Sequence, residues 1–133
     1  MQLITPQSID IFQALADESR LRVMRLMCET GDEVCLCELV DSLREPAYKL
    51  SRHLKILRQA GLLSSRKEGR WVYHRLVREP RYLLRLYGTI MALPDEAGVF
   101  EADLQRFLER RGMRVDGRCI IGIQTEAFKD TAE

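Results

Sequence analysis

The chain has 133 residues, 46% of them apolar and 31% charged, which is the size and balance of one globular domain. No apolar run approaches the roughly eighteen residues of a membrane-spanning helix, and residues 1–6 lack the basic-then-apolar order of a secretion signal, so a cytoplasmic chain with no membrane partner is expected. The net charge of +1 hides an asymmetry: residues 44–78 carry ten Lys or Arg against two acids, and the remainder carries eleven against eighteen. One basic face on a near-neutral chain is the footprint of a nucleic-acid binder, although a solvated helix and hairpin give the same charge pattern without a partner.

In chain order, residues 8–16 predict a short helix with Ile11, Phe12, Leu15 and Ala16 as its stripe. Asp17 is a suitable N-cap for a second helix over about 18–30, with Leu21, Met24, Met27 and Cys28 on its apolar face and Gly31 as its stop. Val34 and Leu36 can open a short edge strand, and 36–43 then turns helical through Leu36, Leu39, Val40 and Leu43. After a turn at Arg44-Glu45, Pro46 suits the first position of a helix to about Ala60, where its missing N–H costs nothing. Leu50, Leu54 and Leu57 form the buried stripe of that helix, Gly61 ends it, and Leu62 completes a Schellman cap.

Strands over 62–66 and 71–76 flank Lys67-Glu68-Gly69-Arg70, a hairpin tip. Helices over 80–92 and 98–111 follow, separated by Pro94, and residues 118–123 read as a short strand or tail element. The expected fold is mainly α (α+β): a winged helix-turn-helix with a two- or three-stranded antiparallel wing. Residues 1–111 would form the DNA-binding and dimerisation domain, and 112–133 a C-terminal tail whose structure the sequence leaves open.

In a winged helix-turn-helix the second helix enters the major groove. With its leucine stripe turned inward, helix 46–60 presents Tyr48, Lys49, Ser51, Arg52 and Lys55, with His53 at the edge of that face. Arg suits guanine edges, Lys and Ser suit phosphates, and Tyr suits a phosphate or a thymine methyl. Lys67 and Arg70 at the wing tip would reach the backbone or minor groove alongside. His53 is equally open to packing, and His74 on the second wing strand reads as a satisfied strand histidine. Two histidines without a third partner make neither a hydrolytic triad nor a histidine-rich zinc site, and nothing else supports catalysis.

Four stretches occur in order: Ala14-Leu-Ala-Asp-Glu-Ser-Arg-Leu-Arg22, Glu33-Val-Cys-Leu-Cys-Glu-Leu39, Leu50-Ser-Arg-His-Leu-Lys-Ile-Leu-Arg-Gln-Ala-Gly-Leu-Leu63 and Arg66-Lys-Glu-Gly-Arg-Trp-Val-Tyr-His-Arg-Leu76. Together they resemble the ArsR/SmtB family of metal-sensing repressors, and most closely its arsenical-repressor branch. The resemblance covers about residues 9–90. It implies a homodimer joined by the first helix and the helix after the wing. It also implies an operator of two-fold symmetry that is released when arsenite or antimonite, As(III) or Sb(III), binds as inducer.

In arsenite-responsive members the inducer motif is Cys-x-Cys with a third cysteine three residues on. Cys35 and Cys37 match the first two, but Val40 stands at the third position. Soft trivalent metalloids prefer thiolates. Cys119, from the same chain or a partner, is the first candidate for a third ligand; Cys28 is the other, although its place on the apolar face of its helix suits a core residue. On a regular helix residues i and i+2 point apart, so one metalloid bridging Cys35 and Cys37 would have to unwind or hold open the helix start. The helix-start amides there would favour thiolate. Two other readings stay open: a thiol-redox or persulfide sensor on the same fold, and a small interaction module that does not bind DNA.

Overall fold

The computed structural model describes residues 6–125; residues 1–5 and the last eight residues of the tail lie outside that range. Helix α1 (Pro6–Leu15) buries Ile11 and Ala14, an i, i+3 pair that faces the core. Phe12, expected on that stripe, is 67% exposed, because one further residue rotates it about 100° off the buried line. Helix α2 (Glu18–Thr30) starts where the Asp17 side chain accepts the Arg20 N–H. It ends at Gly31, whose φ of 66° suits a residue without a Cβ. Val23, Met24, Leu26 and Met27 make α2 the central helix, and Leu21 and Cys28 pack at its edge.

Strand β1 (Val34–Cys35) leads directly into α3 (Leu36–Leu43). Arg44 closes α3 in the left-handed region, and Pro46 opens α4 (Ala47–Gln59). Pro46 is extended (φ −62°, ψ 145°), so it is the N-cap and not the first helical residue; its carbonyl accepts the Leu50 N–H at 3.1 Å. Leu50, Leu54 and Leu57 are buried as the spacing predicts. The cap is a full Schellman motif: Leu62 N–H bonds Leu57 O and Gly61 N–H bonds Arg58 O, both at 3.0 Å.

The wing is β2 (Leu63–Glu68) and β3 (Trp71–Leu76), antiparallel, with β1 added on the far side of β3. Glu68 pairs with Trp71, so the turn is only Gly69-Arg70, and Lys67 lies within β2. The positive φ of Gly69 matches a hairpin turn that needs glycine at its first central position. Alternation along β3 splits the sheet. Leu76 faces the helical core, while Trp71 and Tyr73 face a second cluster made with Cys35, Cys37 and Cys119.

His74 is buried, but its Nδ1 has no hydrogen-bond partner, contrary to the satisfied histidine expected. Burial, helped by the nearby charge of Arg58, pushes its pKa down to about 4. Its neutral form is therefore the one that fits the fold. The stability this gives is fully present above pH 6.5 and is lost as pH falls towards 4, on the order of 3 kcal/mol. Melting followed by circular dichroism between pH 7 and 4 is expected to fall more steeply for the natural chain than for His74→Gln.

Helix α5 (Tyr82–Ala92) buries Leu83, Tyr87 and Ile90 but leaves Tyr82, Leu84 and Met91 exposed. Helix α6 (Val99–Arg111) packs on α3, and its first turn is capped by Asp95, which accepts the N–H groups of Phe100 and Glu101. The chain then folds back through a Val115–Arg118 bridge and lays residues 119–125 over the start of α3 and the outer face of β3. Among the described residues no helix is long and apolar enough to cross a membrane.

Candidate thiol cluster and nucleic-acid interface

Cys35 sits at the junction of β1 and α3 with extended backbone (φ −100°, ψ 162°), and Cys37 lies in the first turn of α3. That kink removes the helical obstacle: the two sulfurs are already 3.0 Å apart. The unwinding expected from the Cys-x-Cys spacing is therefore built into the resting fold. Cys119, 82 residues further along and delivered by the folded-back tail, joins them from the same chain. All three sulfurs lie within 4.8 Å of one another, and all three residues are buried.

The surroundings hold this cluster in place. Glu38, fully buried, accepts the Cys35 N–H at 3.1 Å. Arg114 donates to both Glu38 oxygens, at 2.6 and 2.8 Å, and to the Glu33 carbonyl. One turn along α3, buried Asp41 accepts from Arg110 at 2.6 Å and from the Gln124 N–H at 2.8 Å. Arg110 also donates to the carbonyls of Ile121 and Gly122. These ties clamp the tail between α6 and α3. Hydrogen bonds from the Cys119 and Cys35 thiols, together with the charge of Arg110, hold the Cys37 thiol well below its ordinary value. Cys35 is pushed up as the donor of the set. Of the three thiols, Cys37 is the one whose surroundings favour the thiolate form. Cys28 stands apart in the helical core, where burial pushes its pKa up to about 12.

On α4, Tyr48, Ser51, Arg52 and Lys55 are exposed on one face, with Tyr48 at 76%. Lys49 is half-buried and paired with Glu45 at 3.4 Å. His53 lies on the opposite side: it is buried, with Nδ1 3.1 Å from Arg20 Nη1 and Nε2 3.8 Å from Asp17, and burial lowers its pKa. It braces α4 against α2. Lys67 and Arg70 are exposed on the wing, where Arg70 lies over the Trp71 ring. Arg66, also in the basic segment, is taken up by a bidentate pair with Glu33.

The sequence reading missed Glu38, Asp41, Arg110 and Arg114 around the thiols, and buried Asp103, which accepts from Arg22 at 2.7 and 2.9 Å. A signal existed for two of them. Asp103 and Arg110 flank Phe107 at helical spacing, so both lie on its buried stripe.

Residues 17–65 match the bacterial regulatory protein, arsR family. The arsenical resistance operon repressor of Escherichia coli (strain K12) is 48% identical over 68 residues, which are 51% of this chain and 57% of that repressor's own length. An uncharacterised HTH-type transcriptional regulator of Methanocaldococcus jannaschii is 38% identical over 53% of this chain and 79% of its own. Among solved structures, HlyU from Vibrio cholerae N16961 superposes with a TM-score of 0.57 at 26% identity, covering 70% of this chain and all of that one.

Proposed function

We propose that this chain, which belongs to the arsR family of bacterial regulatory proteins, is a transcriptional repressor of arsenic-resistance genes that leaves its operator when a trivalent metalloid binds Cys35, Cys37 and Cys119. The observation that carries this reading is the set of three buried sulfurs within 4.8 Å. Three thiolates match the valence of As(III) or Sb(III). The exchange balances without an oxidant: As(OH)3 and three thiols give As(SR)3 and three waters. Cys37, whose thiol is held below its ordinary value, loses its proton most readily and attacks first, that proton leaving with a displaced hydroxide as water.

The operator contacts we assign are Tyr48, Lys49, Ser51, Arg52, Lys55, Lys67 and Arg70. The buried position of His53 supports a bracing role in its place. A homodimer on a two-fold operator is supported by the exposed apolar side chains of α1 and α5, Ile9, Phe12, Tyr82, Leu84 and Met91. Two such α4 helices would enter successive major grooves. The inducer would draw the tail, the end of β1 and the start of α3 on to one atom, and α3 packs directly on α4. If the tightened arrangement fits the operator less well, release follows by linkage, and coupling of this kind is about 1–3 kcal/mol.

The test of the DNA face is fluorescence anisotropy on the chain's own upstream duplex. Arg52→Ala is expected to cost about 1–3 kcal/mol and to relax preference at one base pair; Lys67→Ala should weaken all duplexes alike and lower the salt slope by about one. Loss of neither quantity, or binding that ignores salt, would leave the interaction-module reading standing.

The 3.0 Å contact between Cys35 and Cys37 favours a second reading, thiol oxidation as the signal. Arsenite added under reducing conditions separates the two. Release there supports the metalloid, and release only by peroxide or polysulfide supports oxidation.

A further inference from the structure

We propose that Tyr73, a residue of the wing, is a positioning residue for the third thiol: its hydroxyl holds Cys119 so that this sulfur closes on a metalloid already bound by Cys35 and Cys37. The inference rests on the metalloid reading above and adds a residue to it that lies outside every cysteine motif.

Tyr73 is 2% exposed, and its ring packs in the cysteine cluster beneath the Arg66 guanidinium, 4.7 Å from the ring centre. Its Oη accepts the Cys119 N–H at 2.9 Å, across 46 residues of chain. The tail has no regular structure here to hold that sulfur. Before it stands the Val115–Arg118 bridge; after it, Ile121, Gly122 and Gln124 are tied to Arg110 and Asp41. Ile120, next to Cys119, is half exposed. The tail is thus held on both sides of Cys119, and Tyr73 fixes the residue itself.

In the closing step the Cys119 sulfur bonds to arsenic, the last As–OH bond breaks, and the thiol proton leaves with that hydroxide as water. Because Tyr73 is part of β3, the same bond ties the wing to the inducer site, so closure acts on a DNA-contacting element as well as on α3.

Two arsenicals separate this role from a purely structural one. Arsenite offers three exchangeable oxygens; phenylarsine oxide, with one valence taken by its ring, offers two and needs only Cys35 and Cys37. Both are titrated into the full natural chain, Tyr73→Phe, Cys119→Ser and the double variant, following arsenic–thiolate absorption and Trp71 fluorescence. Tyr73→Phe keeps the ring and removes the hydroxyl. It is expected to weaken arsenite about 2- to 10-fold, as for one hydrogen bond, and to leave phenylarsine oxide within two-fold. In the Cys119→Ser background it should change nothing further, since the two substitutions act through one contact. An equal loss of both ligands, or a further loss in the double variant, would overturn the positioning role. If Cys119→Ser binds arsenite as the natural chain does, the third-thiol reading itself fails. The phenylarsine oxide titration reports in every variant whether the Cys35–Cys37 pair is intact.

Discussion

Cys37→Ser is expected to hold its operator with the natural affinity and to keep holding it when arsenite is added. Cys37 lies 8% exposed at the start of α3, separated from α4 by the rest of that helix and the turn at 44–46, and is none of the proposed DNA contacts. Serine fits its space. Only the chemistry changes: the substitution removes the sulfur that lies 3.0 Å from that of Cys35 and belongs to the thiol of the three that its neighbours most favour as thiolate. In the natural chain, arsenite should lower operator affinity by several-fold to about a hundredfold, the usual range for coupled sites. In Cys37→Ser the change should be less than two-fold. Gel shift or anisotropy at fixed salt reads both numbers. A Cys37→Ser protein that still leaves the operator at the natural arsenite concentration would move the inducer site elsewhere.

Cys119→Ser is the graded companion. Two thiolates still hold arsenic, so binding weakens without vanishing, and release needs more arsenite. The order of effect, Cys37 before Cys119, follows from the geometry: Cys35 and Cys37 form a pair 3.0 Å apart at one helix start, whereas Cys119 is brought to it by the tail.

Most of the helix-turn-helix and wing was legible because each boundary has a local chemical cause. Asp17, Gly31, Gly61 and Gly69 act within a few residues of themselves, and the Leu50, Leu54, Leu57 stripe has one buried side whatever lies opposite. Pro46 was displaced by one position because N-cap and first helical residue share nearly the same φ; only ψ separates them. Phe12 was misplaced because a lone short helix does not reveal which of two adjacent apolar residues turns inward. The thiol cluster was legible as chemistry and not as geometry. Cys35 and Cys37 announce themselves by spacing, whereas the approach of Cys119 depends on tail backbone bonds, with Arg110 donating to a carbonyl and Asp41 and Tyr73 accepting N–H groups. Such bonds leave no periodicity in the tail. The buried charges were hidden for a related reason: a pattern reading sends Asp and Arg outward, and Asp41 and Arg110 point inward only because each supplies the other's partner.

That pair is where the largest loss of stability is expected. Arg110 and Asp41 are 1% and 0% exposed in their side chains, with Nε and Oδ2 2.6 Å apart. Removing one member strands the other's charge away from water, which typically costs about 3–5 kcal/mol. For a chain of this size Arg110→Ala should therefore lower Tm by on the order of 10–20 °C. The loss reaches the thiols as well, because the guanidinium also holds the Ile121 and Gly122 carbonyls two and three residues beyond Cys119. Replacing both charges by apolar residues of similar volume, Asp41→Leu with Arg110→Met, should recover much of the melting temperature, since no charge is then left buried alone. It should not recover full arsenite affinity, because neither side chain can hold the tail carbonyls or the Gln124 N–H. Melting and arsenite titration on the same three proteins separate the two roles. If Arg110→Ala melts within about 2 °C of the natural chain, water reaches the pair in solution, and the clamp on the third thiol falls with it.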